Sequence, residues 1–158
     1  MIIKTQKTQF TYCLEILKQV IEKSDETIWT QKVGGHVFWQ QILHTLMGTY
    51  FWFRDVQESF DDFKEPFKAS LYYPEFEKDP ENNMTKAQMF DFYHEVCDHV
   101  DDYFEGKTND WLTQPAKLYD QLTNNDVINM QIRHVMYHVG FLSALLKDHR
   151  DIEIKWDS

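Results

Sequence analysis

The stretch from Val127 to Leu145 constrains the fold of this chain most. Val127, Met130, His134, His138, Phe141 and Leu145 recur at about 3.6-residue spacing, which predicts an amphipathic helix carrying all of them on one stripe. His134 and His138 lie one turn apart, and residues four apart share a helix face. Two imidazoles are thereby expected to point toward a core. Burying two polar rings side by side is costly unless each finds a partner. A transition metal shared between them is one solution. Ordinary hydrogen bonds, in the core or at the surface, are the other, and the spacing leaves both open.

Three further segments have helical periodicity, and no segment has the alternation of a core strand. The first runs from about Lys7 to Lys23, with Phe10, Leu14, Leu17 and Ile21 on one side. The second follows the Gly34–Gly35 turn and continues to about Arg54. It is apolar almost all round, with one weaker sector at Gln40, Gln41, His44 and Gly48. Such a helix must be covered by neighbours or by a second copy of the chain, so a homodimer burying Trp52 or Phe53 is expected. The third opens at Thr85, where Thr85–Lys86–Ala87–Gln88 has the pattern of a capping box, and ends near Gly106. The fourth starts around Asn124–Asp126 and ends near Lys147.

Between the second and third helices lies a connection from about Asp55 to Asn83. It is rich in Phe and Tyr and broken by Pro66, Pro74 and Pro80, which predicts a packed segment with a short helix around Val56–Lys64. At 158 residues the chain is expected to be one domain, residues 1–158, and all-α: a four-helix bundle with a long crossover between helices 2 and 3.

The net charge of −10 argues against partners with phosphate backbones and against anionic membrane, so neither nucleic acid nor membrane is an expected partner. No apolar run reaches the ~18 residues of a membrane span, and no signal-peptide pattern opens the chain. The expected location is cytoplasmic. Cys13 and Cys97 lie far apart in helical apolar patterns and read as free core thiols.

A third histidine, His44 on helix 2, joins the pair on helix 4 as a candidate ligand. Three imidazoles make a metal set that leaves positions open for water or substrate. Gly48, one turn beyond His44, clears space beside it. All-nitrogen ligation suits zinc, nickel or iron. Asp91, Glu95, Asp98, Asp102 and Glu105 form an acidic stripe on helix 3, expected to be a solvated face, with His94 and His99 exposed beside it. Asp91–Phe92–Tyr93–His94 is similar to the ExxH element of di-iron bundles. That class needs carboxylates inside the other core helices, and helices 2 and 4 have none there.

The segment from Gly35 to Leu46 containing His44, followed after a long crossover by Ile132–Arg133–His134–Val135–Met136–Tyr137–His138–Val139–Gly140, resembles the DinB/YfiT-like superfamily. The resemblance covers nearly the whole chain in length and element order, with Leu142 and Ser143 where many members carry a Gln. It implies a four-helix bundle that binds a divalent metal through His44, His134 and His138. Some members bind none. Activities in the family include S-transferases that use a low-molecular-weight thiol, isomerases and hydrolases. The implied function is a metal-dependent transferase or hydrolase acting on a small molecule. The alternative is a non-catalytic dimeric bundle with a binding or stress-related role.

Overall fold

The computed structural model describes residues 2–57 and 63–156. The chain is all-α, with 65% of its residues in helix. Four long helices carry the core: α1 (Ile2–Lys23), α3 (Phe38–Trp52), α4 (Lys86–Phe104) and α6 (Asn124–Arg150), with two single-turn helices, α2 (Glu26–Trp29) and α5 (Asn109–Leu112). α1 packs on α4 and α6, and α3 packs on the same two helices. Their apolar faces close over one cluster that includes Phe10, Leu17, Trp29, Trp39 and Val135. No helix among the described residues is long and apolar enough to cross a membrane.

α1 begins five residues earlier than its periodicity predicts. Its first turn buries Ile3, and the Ile3 N–H donates to Asn109 Oδ1 at 3.0 Å. An orphan amide at a helix start is thus satisfied from a residue far along the chain. The only sheet among the described residues is a two-residue hairpin. β1 (Lys32–Val33) pairs antiparallel with β2 (His36–Val37), and the tight turn between them uses positive φ at Gly34 (64°) and Gly35 (95°). α3 starts directly from β2.

The weak polar sector of α3 is buried rather than wet. Gln40 is fully buried, and its Nε2 donates to the carbonyls of Tyr73 (2.8 Å) and Lys78 (3.0 Å). Gln41 Nε2 donates to Val33 O at 3.0 Å. These two amides fasten the crossover and the hairpin to α3. The rest of the helix is covered within one chain: Phe53, expected at a dimer surface, is fully buried and stacks on Tyr103 at 4.8 Å, and Trp52 is half-buried.

Most of the helix expected at Val56–Lys64 lies outside the described residues, as does Phe60. The described helical turn of the crossover is a 3-10 segment, Pro66–Tyr72, with proline in its first turn, where the missing N–H costs nothing. α4 opens on the expected capping box: Gln88 N–H donates to Thr85 Oγ1 (3.2 Å) and Thr85 N–H to Gln88 Oε1 (2.9 Å). α6 has a second box, Thr123 with Asp126, which sequence reading passed over. The aspartate departs from the usual Glu or Gln. The last described residues return along α1, where Lys23 Nζ donates to Glu153 O and Gln19 Nε2 to Lys155 O.

Candidate metal centre

His134 and His138 do not lie on the core line of α6. That line is Val127, Gln131, Val135, Val139, Leu142 and Leu146, all buried. The histidines precede Val135 and Val139 by one residue, about 100° round the helix, and are half-buried on the flank that faces α3. Apart from Val127, which belongs to both, the expected stripe is therefore a rim beside the core. Its outer members do other work: Phe141 lays its ring against the hairpin, where a Cβ on Gly34 would meet Phe141 Cζ at 2.5 Å.

α3 brings His44 to the same flank. The three rings pack edge to face, with centroids 5.3 Å apart for His44 and His134, and 4.8 Å for each of them with His138. One nitrogen from each of His44, His134 and His138 lies within 4.8 Å of the other two. His44 Nε2 and His134 Nε2 are 3.4 Å apart. Two nitrogens bound to one tetrahedral ion at 2.0–2.1 Å would be about 3.3–3.4 Å apart. A single proton shared between two rings gives a similar distance.

The crossover sets the tautomer of His44. Its Nδ1 lies 2.8 Å from Pro74 O, and a carbonyl can only accept, so Nδ1 carries the hydrogen and Nε2 presents its lone pair to the site. This is the support usually found behind a metal-binding imidazole. Two left-handed residues, Tyr73 (φ 49°) and Phe76 (φ 63°), build the turn that delivers this carbonyl. For bulky side chains such backbone costs about 1–3 kcal/mol each. Phe76 then covers His44, with centroids 4.6 Å apart, and stacks on His36 at 4.0 Å. Sequence reading missed both Pro74 and Phe76, because their roles depend on the folded path of the crossover.

Gly48 is where α3 lets His134 in. A Cβ there would lie 2.6 Å from His134 Cε1, closer than atoms can pack. His134 Nδ1 is buried with no hydrogen-bond partner among the described residues. Burial, then the neighbouring His44, pulls the His134 pKa down to about 4. Burial, then His134 and His44, pulls that of His138 down to about 3. Both rings are neutral at pH 7, the form that binds metals. Three converging ring nitrogens, one oriented from behind, fit a divalent ion with open coordination positions.

The cluster borders a cleft of about 730 Å³ reached from His44, Gly48 and His134 and walled by Met47, Phe51, Trp52, Phe63 and Met130. Buried Gln131 is at its base. Sequence offered one signal for Gln131, a lone amide on the apolar side of α6 one turn before His134.

The other candidate groups behave differently. Asp91, Glu95, Asp98, Asp102 and Glu105 are exposed, as is His94, and no second metal-ready group occurs among the described residues. His99 corrects the expectation of exposure. It is half-buried, stacks on Tyr50 at 4.3 Å, bonds to the last carbonyls of α3, and has its pKa lowered chiefly by burial. Cys13 and Cys97 are free thiols. Burial raises both pKa values, Cys13 to about 11, which leaves neither as a thiolate nucleophile. Comparisons with family models, curated proteins and solved structures return no match, so the DinB/YfiT-like resemblance stands on the residues that carry it.

Proposed function

We propose that this chain is a DinB-like four-helix bundle and a metal-dependent enzyme, a transferase or hydrolase acting on a small molecule, with one divalent ion held by His44, His134 and His138. The observation that carries it is the convergence of the three imidazoles beside an apolar cleft, with His44 Nε2 turned inward by the Nδ1–H bond to Pro74. An ion held there supplies Lewis acidity to a substrate group in the cleft. The chain's own part is positional. Pro74 and Phe76 fix the His44 ring, Gly48 admits His134, and the aromatic wall excludes water from the reacting end. Zinc, nickel and iron all suit the donor set. A cytoplasmic location and a homodimer stay in this reading; light scattering at high micromolar concentration tests the dimer.

A second reading rests on the 3.4 Å between the Nε2 atoms of His44 and His134. In it a proton joins the two rings, no metal binds, and the chain is a non-catalytic binding bundle. Elemental analysis of the natively purified protein separates the two. About one ion per chain, lost in the His134→Ala, His138→Ala double variant, supports the enzyme. Equal metal content in the two proteins supports the proton-linked bundle. A thiol-transfer assay with low-molecular-weight thiols then tests the transferase branch.

A further inference from the structure

The cleft beside the three histidines has a chemical bias of its own. Its described lining contains three carboxylates, Glu65, Glu75 and Glu77, and neither lysine nor arginine. Glu65 is engaged by Ser70, whose N–H and hydroxyl both donate to it. Glu75 and Glu77 are exposed at the mouth. Of the cations beside this wall, Lys64 is exposed, Lys78 donates to Glu81 and lies over the Tyr73 ring, and Arg54 packs over the rings of Phe51 and Phe63; none of the three lines the cleft.

The base of the cleft is more telling. Gln131 is 2% exposed, and its Oε1 has no hydrogen-bond partner among the described residues. A buried acceptor left unpaired costs about 1–3 kcal/mol, and an apolar residue of similar shape would avoid that cost. Oε1 itself has almost no accessible surface, but Gln131 lines a cavity large enough for a small organic molecule, and a turn of its amide would present Oε1 to a donor that the ligand brings.

We propose that the cleft binds a small arylalkyl amine, its ring between Met47, Phe51 and Met130, a ring N–H on Gln131 Oε1, and its alkyl ammonium toward the mouth carboxylates Glu75 and Glu77. This rests on the metal-site reading for the location of the reacting end, and on the cleft alone for the ligand class. In the metal-free chain the same lining disfavours anionic thiols such as glutathione, because each carboxylate they carry meets like charge with no lysine or arginine in the lining.

Tryptamine, with an ammonium and an indole N–H, is the probe; indole-3-propionate is its anionic match, and glutathione a third arm. Calorimetric titration of the full chain without zinc is expected to show tryptamine binding about tenfold or more tighter than indole-3-propionate, and no binding of glutathione. Gln131→Leu is expected to weaken tryptamine at least about fivefold while leaving the melting temperature unchanged or raised, since it removes an unpaired buried acceptor. Glu77→Gln is expected to weaken it about twofold, an effect that disappears in high salt. Indole-3-propionate binding as tightly as tryptamine overturns the proposal, as does absence of tryptamine binding at millimolar concentration, or unchanged affinity in Gln131→Leu. Zinc binding by the same protein is read separately. Zinc binding without the amine preference retires the ligand class alone, and amine binding without zinc retires the metal reading alone.

Discussion

His99 and the cluster of His44, His134 and His138 are two answers to one problem, a histidine taken out of water inside a helical fold. His99 sits on α4 with its ring on Tyr50 and a bond to the end of α3. The last carbonyls of a helix lack partners within it, so His99 donates into a deficit that the fold itself creates, while its Nε2 stays buried without a hydrogen-bond partner among the described residues. The other three rings converge on one another, and among the described residues the ring held from outside the cluster is His44, whose Nδ1 bonds to Pro74 O and lies 3.8 Å from Glu75 Oε1. The difference teaches that burial and a depressed pKa do not mark a functional histidine. Convergence, with lone pairs left facing a common point, does.

The largest effect expected from breaking this contrast is on metal affinity. His134→Ala with His138→Ala is expected to lower zinc affinity by more than about 100-fold in a chelator competition, because two of three ligands are gone. His99→Ala is expected to leave zinc affinity unchanged and to cost about 1–2 kcal/mol in urea unfolding, through a lost hydrogen bond and lost packing. Equal zinc losses in both variants would erase the distinction.

Gly48→Ala sharpens it from the side of α3. The new methyl would sit 2.6 Å from His134 Cε1, so the ring must move. Zinc affinity is expected to fall about 10–100-fold. Stability is expected to drop by about 1–3 kcal/mol from overpacking. Gly140→Ala is the control, because a Cβ at Gly140 meets nothing within 4 Å.

Protons provide a third test. The folded pKa values of His134 and His138, about 4 and about 3, lie below the ordinary histidine value of about 6.5. Below that value the unfolded chain takes up protons that the folded chain refuses. Stability of the metal-free protein should therefore hold above pH ~6.5 and decline as pH falls toward 4. The decline is expected to flatten in the His134→Ala, His138→Ala variant and to flatten less in His99→Ala. Loaded with zinc, the wild type should decline more steeply over the same range, since acid also releases the ion.

The smallest effect is expected at Phe76. Phe76→Gly relieves a left-handed aromatic residue but uncovers His44. The two contributions oppose each other in stability, so a net change within about 1 kcal/mol is expected. Zinc affinity should still fall a few-fold, because the His44 ring loses its cover. A stability loss with unchanged affinity would make Phe76 packing alone.

What could be read in the sequence follows the range of the interactions. The capping box at Thr85, the Gly34–Gly35 turn and the helical character of the four long segments depend on residues a few positions apart, and each lies where local chemistry put it. The three histidines and Gly48 were legible because i, i+4 spacing survives any tertiary arrangement. The core line of α6 was not. Met130, Phe141 and Leu145 make one apolar flank, and Val135, Val139 and Leu142 make another. Only the partner surfaces decide which one faces inward. Gln40, Pro74, Gln131 and His99 were hidden for the same reason: each acquires its role from a segment at least 30 residues away in sequence or from a cavity that exists only in the fold. The early start of α1 depends on Asn109, more distant still.

Zinc K-edge X-ray absorption on the zinc-loaded protein tests the central claim most directly. The expected result is a first shell at about 2.0–2.1 Å whose outer-shell scattering requires three imidazoles per zinc, reduced to one at most in His134→Ala, His138→Ala. A wild-type spectrum that fits with fewer than two imidazoles, or one that the double substitution leaves unchanged, would contradict the claim that His44, His134 and His138 hold one ion together.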